Sequence, residues 1–158
     1  YGIGLVKNKY IGRTFISPSQ ELREKSVKVK LNAIKKVVEG KRVVVIDDSL
    51  VRGTTSKKLV KMLREAGAKE VHFRSASPVV KNECYFGIDI ATKKELIGSK
   101  MSLEEIREKI DADSLDYLTL ENLKLTLGGT NFCMGCFTGN YPITDMENKS
   151  LEDEDADL

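Results

Sequence analysis

Tryptophan is absent from this chain of 158 residues, and aromatic side chains make up only 6% of it. With 41% hydrophobic residues, the composition favours a single aliphatic α/β core over an all-β domain. No apolar run approaches the roughly 18 residues of a membrane-spanning helix, and no charged-then-apolar leader opens the sequence. We therefore expect a cytoplasmic protein with no membrane partner.

Net charge is small, at +2, but it is unevenly distributed. The segment 145–158 has seven acids and one lysine, which is −6, so the remaining residues carry +8. Because no aromatic or glycine-rich RNA-binding signature accompanies the basic residues, a polyphosphate substrate explains them better than a nucleic-acid partner does. The acidic segment 145–158 is predicted to be a disordered tail.

Cysteine occurs at only three positions, Cys84, Cys133 and Cys136. An odd count in a cytosolic protein argues against disulfides. The C-x-x-C pair at 133 and 136 has metal-ligand spacing, but a zinc ribbon needs a second such pair and the sequence has none. A thioredoxin-type pair opens a helix, whereas residues 137–142 favour a loop.

The segment from Arg42 to Ser56 carries the strongest signal. The β-branched run Val43 to Ile46 predicts a buried parallel strand, and apolar residues from Leu59 onwards recur on one helix face. A small-residue loop between a strand and a helix N-terminus is an anion site, because free N–H groups and the helix dipole meet there. The G-x-x-x-x-G-K-[ST] motif of nucleotide P-loops is missing.

Two acids, Asp47 and Asp48, precede this loop. They would repel a phosphate, so we expect them to face another part of the ligand. Carboxylates accept hydrogen bonds from vicinal sugar hydroxyls and can share Mg²⁺ with them. The motif therefore predicts a phosphorylated ribose whose 5-phosphate lies on residues 53–56. An Asp-Asp pair alone would indicate no more than a solvated strand end.

Periodicity predicts the first half of the fold. Residues 1–19 are expected to form a loop or short hairpin, and the spacing of Val27, Leu31, Ile34 and Val38 predicts a helix that ends near Gly40. A strand over 42–47, a helix over 54–66 and a strand over 71–77 form a βαβ unit, whose strands must be parallel.

Capping boxes mark the second half. Thr92 and Ser102 are each followed three residues later by glutamate, which predicts two helix starts. Leucine and isoleucine spacing predicts helices over 103–110 and 120–127, with a short strand near Tyr117 and Leu118. Tyr85 and Phe86 are interpreted as core residues. His72, the only histidine, is interpreted as a packing or surface residue without a catalytic role.

The segment from Arg42 to Ser56 resembles the phosphoribosyl pyrophosphate (PRPP) signature of the type I phosphoribosyltransferases. Further segments resemble amidophosphoribosyltransferases in particular: 10–16, 23–27, 30–32, 66–68, 77–78, 85–89 and 133–142. The resemblance implies a Rossmann-like parallel α/β sheet, incomplete at its N-terminus, with a C-terminal helical segment. It divides the chain into a partial phosphoribosyltransferase domain over 1–128, a cysteine-containing segment over 129–144 and the tail over 145–158.

The resemblance also implies a reaction. Ammonia would displace pyrophosphate from C1 of PRPP, giving 5-phosphoribosylamine for purine biosynthesis. A glutaminase domain would supply the ammonia; family members begin that domain with a cysteine, whereas Tyr1 opens this chain. Purine nucleotide inhibitors and a homo-oligomer of the intact protein are further implications. A regulatory module that binds PRPP without catalysis is the alternative, and a small iron–sulfur electron carrier is a more distant one.

Binding roles follow from the same resemblance. Asp47 and Asp48 would hold the ribose hydroxyls and Mg²⁺. The phosphate loop would consist of Ser49, Val51, Arg52, Gly53, Thr54, Thr55 and Ser56. Lys7, Tyr10 and Arg13 fall in the region of a mobile loop that closes over PRPP in the family, and ordinary surface charge explains them equally well.

Some family members bind a [4Fe–4S] cluster through four cysteines. Cys84, Cys133 and Cys136 match three of those positions, and the fourth ligand would lie outside this chain. Alternatively, Cys84 is a small buried side chain and the C-x-x-C pair is incidental.

Overall fold

The computed structural model describes residues 2–7, 31–86, 93–129 and 132–143. The elements follow one another as β1 (Leu5–Lys7), β2 (Leu31–Ala33), α1 (Lys35–Val38), β3 (Arg42–Asp47), α2 (Thr54–Glu65), β4 (Glu70–Ser75), α3 (Leu103–Ile110), β5 (Ser114–Tyr117), α4 (Leu120–Leu127) and α5 (Gly135–Thr138). A short 3₁₀ turn, Ile97–Ser99, precedes α3.

A parallel sheet in the order β3-β4-β5 organises the fold. Asp47 of β3 is aligned with Ser75 of β4, which is aligned with Tyr117 of β5. The three carboxyl ends therefore meet at one edge, where ligands of open α/β sheets bind. The predicted βαβ unit with parallel strands is confirmed.

One face of this sheet packs against helices. The core consists of side chains from the three strands together with α2 and α3: Val45, Val71, Phe73, Leu115, Leu59, Val60, Leu63, Ile106 and Ile110. On the other face, Val44 and Ile46 are 60% and 74% exposed. The strand alternation thus points Asp47 towards the helix-covered side, on the same face as Val45.

The start of α3 is fixed by the predicted capping box. The Glu105 N–H donates to Ser102 Oγ at 3.3 Å, and the Ser102 N–H donates to Glu105 Oε2 at 2.7 Å. Helix α4 also spans its predicted residues, with the Asn122 N–H donating to Thr119 Oγ1 at 3.2 Å. Among the described helices, none is long and apolar enough to cross a membrane.

The predicted helix through Leu31 and Val38 is wrong in its first part. Residues Leu31–Ala33 form β2, which pairs antiparallel with β1, and only Lys35–Val38 is helical. Strand pairing with a distant segment overrides the local spacing. Val27 and the remainder of the predicted 1–19 hairpin beyond β1 lie outside the described residues.

Two smaller predictions are also corrected. No α-helix follows the capping box predicted at Thr92, because residues 93–95 form a turn that leads into the 3₁₀ segment; Thr92 itself lies outside the described residues. Phe86 is 40% exposed rather than part of the core.

Candidate functional site

A cavity of about 290 Å³ opens at the carboxyl end of β3. It is lined by Asp47, Asp48, Ser49, Val51, Arg52, Gly53, Thr54, Thr55 and Ser56. These are the residues that the sequence assigned to the ribose and phosphate, so the fold brings that set together. Tyr10, Arg13 and the side chain of Lys7 lie outside the described residues.

The phosphate loop turns sharply into α2 at Gly53. This residue is the helix N-cap, with a left-handed φ of 75°. The first helical bond runs from the Lys57 N–H to the Gly53 carbonyl at 2.9 Å, so the N–H groups of residues 54–56 precede the helical ladder. Since a glycine cap has no side chain to accept from them, these donors and the helix dipole suit an anion.

The two acids line the same cavity at the end of β3. Asp47 is half-buried, and the Asp48 N–H donates to its Oδ1 at 3.0 Å. Asp48 is exposed and accepts from Ser49 Oγ at 3.2 Å. Burial raises the pKa of Asp47; the Asp48 N–H opposes that rise, and the Asp48 charge adds to it. A cation or a pair of sugar hydroxyls would relieve this unfavourable charge.

A second segment supports the loop from outside the signature. Arg52 donates through Nε and Nη2 to Glu95 Oε2 at 3.2 and 2.9 Å. The Ile97 N–H donates to the Val51 carbonyl at 3.1 Å. Glu95 and Ile97 were missed as supports of the site, because a contact across 43 residues leaves no spacing signal in the sequence.

The three cysteines lie on two segments that meet. Cys84 and Cys136 are half-buried, whereas Cys133 is exposed. The N–H groups of Lys81 and Asn82 donate to the Cys136 carbonyl at 2.9 and 3.0 Å. Burial raises the pKa of the Cys136 thiol, and the charges of Cys84 and Cys133 contribute to the rise. Cys136 therefore lies near both of the other cysteines.

The arrangement of these thiols bears on the kind of metal centre that would fit. Within the described ranges, no three His, Cys, Asp or Glu side chains lie close enough to bind one metal ion. A [4Fe–4S] cluster binds each thiolate through a different iron, so it requires wider spacing than a single ion does. The donors here are thiols, and they come from two segments that meet, which fits such a cluster. The loop expected over 137–142 is corrected at its first two residues, because Gly135–Thr138 forms the one-turn helix α5.

His72 lies away from the cavity. It is in β4 with its ring half-buried, 2.8 Å from Ser114 Oγ through Nδ1 and 3.0 Å from Glu70 Oε2 through Nε2. Both partners belong to strands of the sheet. The side chain therefore takes part in a cross-strand polar network.

Comparison with known families identifies the family to which this fold belongs. The model of the phosphoribosyl transferase domain matches residues 4–99, which is more than half of the chain. The chain belongs to the phosphoribosyltransferase family. The predicted fold class is thereby confirmed, since a solved relative superposes on it with a TM-score of 0.77.

Curated relatives show which phosphoribosyltransferases this chain resembles. The chain is 54% identical over 148 residues to the amidophosphoribosyltransferase of Bacillus subtilis, covering 90% of this chain and 31% of the relative. It is 56% identical over 142 residues to the amidophosphoribosyltransferase of Methanocaldococcus jannaschii, and this match covers 90% of this chain and 30% of the relative. The resemblance to amidophosphoribosyltransferases stated from the sequence is confirmed. This chain spans about a third or less of the length of these relatives.

The solved relative with the TM-score of 0.77 is the B. subtilis glutamine PRPP amidotransferase complexed with ADP and GMP. It is 54% identical, and the match covers 90% of this chain and 32% of that one. Predicted boundaries at 128 and 144 stay predictions, and the acidic tail lies outside the described residues.

Proposed function

We propose that this chain carries the PRPP site of an amidophosphoribosyltransferase, which makes 5-phosphoribosylamine from PRPP and ammonia in purine biosynthesis. The observation that carries the proposal is the cavity in which two carboxylates and an open helix N-terminus face one ligand-sized space. Relatives that are more than 50% identical to the chain are named amidophosphoribosyltransferases, which supports the same reaction.

In the proposed complex the ligand spans the cavity from α2 to β3. The 5-phosphate accepts from the N–H groups and hydroxyls of residues 54–56, and Arg52 adds positive charge beside it. The ribose hydroxyls donate to Asp47 and Asp48, which also hold Mg²⁺. Bound Mg²⁺ would offset the charge of the departing pyrophosphate.

Catalysis in this proposal comes from positioning and charge. Positive charge develops on the sugar ring as pyrophosphate leaves, and the two carboxylates stabilise it without forming a covalent bond. Lys7, Tyr10 and Arg13 are proposed to close over the pyrophosphate and exclude water. Ammonia would come from a glutaminase domain of the intact protein, which we propose to be cytoplasmic and homo-oligomeric.

Purine nucleotides are proposed as inhibitors of this site. The B. subtilis structure contains ADP and GMP, and a mononucleotide carries the same ribose 5-phosphate unit as PRPP. Its phosphate would occupy the N-terminus of α2 and its ribose would reach Asp47 and Asp48. Inhibition would then be competitive with PRPP.

We also propose that Cys84, Cys133 and Cys136 hold a [4Fe–4S] cluster with a fourth ligand from outside the chain. The support is the hydrogen bonding of residues 81–82 to Cys136 and the nearness of Cys136 to the other two cysteines. The cluster would act structurally, as a cross-link between segments.

Pyrophosphate release tests the reaction. The intact polypeptide is mixed with PRPP, Mg²⁺ and ammonia, and pyrophosphate is measured over time. Asp47→Asn is expected to abolish release, whereas Asp116→Asn, an exposed carboxylate on β5, serves as the matched control and retains it. PRPP binding without any pyrophosphate release by the unmodified protein would favour the regulatory module instead.

A further inference from the structure

The C-terminal segment is fastened to residues 81–86 by backbone bonds. Besides the two N–H groups that converge on the Cys136 carbonyl, Asn82 Nδ2 donates to the Gly135 carbonyl at 3.4 Å. These bonds fix the backbone of α5. They leave open what fixes the distance between the thiols of Cys84 and Cys136, which lie on different segments.

Tyr141 provides a side-chain connection between the same two segments. Its hydroxyl donates to the Glu83 carbonyl at 2.5 Å. Its ring meets Tyr85 edge-on, with centroids 4.9 Å apart and planes at 60°, and it lies 6.4 Å from Phe86. Edge-to-face contacts of this kind add to the stabilisation from burial.

Tyr141 contacts the residue that precedes each half-buried cysteine, because Glu83 precedes Cys84 and Gly135 precedes Cys136. The pKa of Tyr141 is raised to about 12, chiefly by burial, and the charges of Tyr85, Cys136, Cys84 and Glu83 contribute. The phenol is thus tied to the backbone next to each half-buried cysteine. It stands on the C-terminal segment and reaches across to the segment that bears Cys84.

Gly135 completes the arrangement, because it leaves the space in which the ring lies. A Cβ at this position would be 2.3 Å from both Cδ1 and Cε1 of Tyr141. No real side chain tolerates that distance, and the obstacle is a ring held at its other end by a hydrogen bond. The residue next to Cys136 must be glycine for the ring to stay in place.

We propose that Tyr141 is a positioning residue of the cysteine site, and that its ring, seated on Gly135 and hydrogen-bonded to Glu83, holds the thiols of Cys84 and Cys136 together. The inference deepens the proposed cluster site, but the holding action does not require the cluster. The tyrosine would supply no ligand itself; it positions the segments that bear Cys84 and Cys136, which would.

Thiol reactivity tests the holding action directly. The intact polypeptide is treated with iodoacetamide without bound iron, and the alkylation of each cysteine is followed by mass spectrometry. In Tyr141→Ala, Cys84 and Cys136 are expected to react about tenfold faster, because local opening costs less free energy. Exposed Cys133 is an internal reference whose rate changes little, and Asn140→Ala is the matched neighbouring control.

Two further variants separate the ring from the hydroxyl. Tyr141→Phe keeps the ring and is expected to retain most of the protection, whereas Gly135→Ala expels the ring and resembles Tyr141→Ala. Unchanged alkylation of Cys84 and Cys136 in both Tyr141→Ala and Gly135→Ala would overturn the proposal. If Tyr141→Ala fails to fold, Tyr141→Phe and Gly135→Ala are compared instead. The proposal then requires faster alkylation of Cys84 and Cys136 in Gly135→Ala than in Tyr141→Phe.

Iron analysis distinguishes the two proposals. After anaerobic purification, iron and acid-labile sulfide are expected to fall in Gly135→Ala and Tyr141→Ala and to stay near the unmodified level in Tyr141→Phe. An iron-free unmodified protein would end the cluster proposal. Slow alkylation of Cys84 and Cys136 in that same protein, lost in Tyr141→Ala, would still support the positioning role.

Discussion

Gly53 and Ile97 are packed so closely that a Cβ at position 53 would lie 2.9 Å from Cδ1 of Ile97. The same glycine has a φ of 75°, a conformation that other residues adopt at a cost. One residue thus meets two demands, a left-handed turn and a close approach to the segment that supports the phosphate loop. Both demands come from the geometry that opens the N-terminus of α2 to a ligand.

Gly53→Ala is therefore expected to damage the site more than its backbone strain alone explains. Strain and the displacement of Ile97 together should lower the free energy of unfolding by about 2–3 kcal/mol, and PRPP binding should be lost. Gly128→Ala is a matched control, because Gly128 also has a φ of 71° but nothing lies within 4 Å of an added Cβ.

The control should lose about 1 kcal/mol and bind PRPP normally, because Gly128 does not line the cavity. Chemical denaturation measures the stability of both variants, and equilibrium binding measures their affinity. Equal loss of PRPP binding in the two variants would mean that the loop geometry at Gly53 is not specifically required.

Asp47 offers a test that links the site to pH. Because burial raises its pKa in the folded chain, ionisation of this carboxyl opposes folding, and the penalty grows as pH rises from the unfolded value of about 4 through the folded value. Asp47→Asn should therefore be as stable as the unmodified protein or more stable by up to about 1 kcal/mol at neutral pH.

The advantage should vanish below about pH 4, where the carboxyl is protonated in both states. Thermal or denaturant unfolding as a function of pH, without ligand, measures the difference. A clearly destabilised Asp47→Asn at neutral pH would show that the hydrogen bond from the Asp48 N–H contributes more to stability than burial of the Asp47 charge costs.

Substitutions of Arg52 and Glu95 should affect PRPP binding and the free energy of unfolding differently. Their ion pair is about half exposed, so breaking it should change the free energy of unfolding by less than about 1 kcal/mol. Arg52→Ala should nevertheless weaken PRPP binding about tenfold, since the positive charge beside the proposed phosphate is lost. Glu95→Ala keeps the guanidinium and should weaken binding much less. Isothermal titration compares them, and equal effects would reduce Arg52 to a structural role.

The parts of the fold that local sequence determines were predictable. The valine-rich strand β3, the helix after Gly53 and the strand before Pro78 follow from runs and spacings that lie within a few residues of each other. The grouping of these residues around one cavity followed too, because they are nearly contiguous, from Asp47 to Ser56; their role in binding PRPP stays a prediction.

What escaped prediction depends on contacts between distant segments. Leu31 has helical spacing with Val38, yet it pairs with Lys7 in a strand. Glu95 has the spacing of a capping-box acid, yet its carboxylate bonds to Arg52, 43 residues away. Single-sequence periodicity contains no information about such partners.

Calorimetric titration of the intact polypeptide with Mg²⁺ and PRPP tests the central claim most directly. We predict heat of binding for the unmodified protein, at least about tenfold weaker binding for Asp47→Asn, and unchanged binding for Asp116→Asn. A purine mononucleotide should compete. Absence of any heat with both PRPP and a purine mononucleotide, or equal affinities for Asp47→Asn and the unmodified protein, would contradict the account.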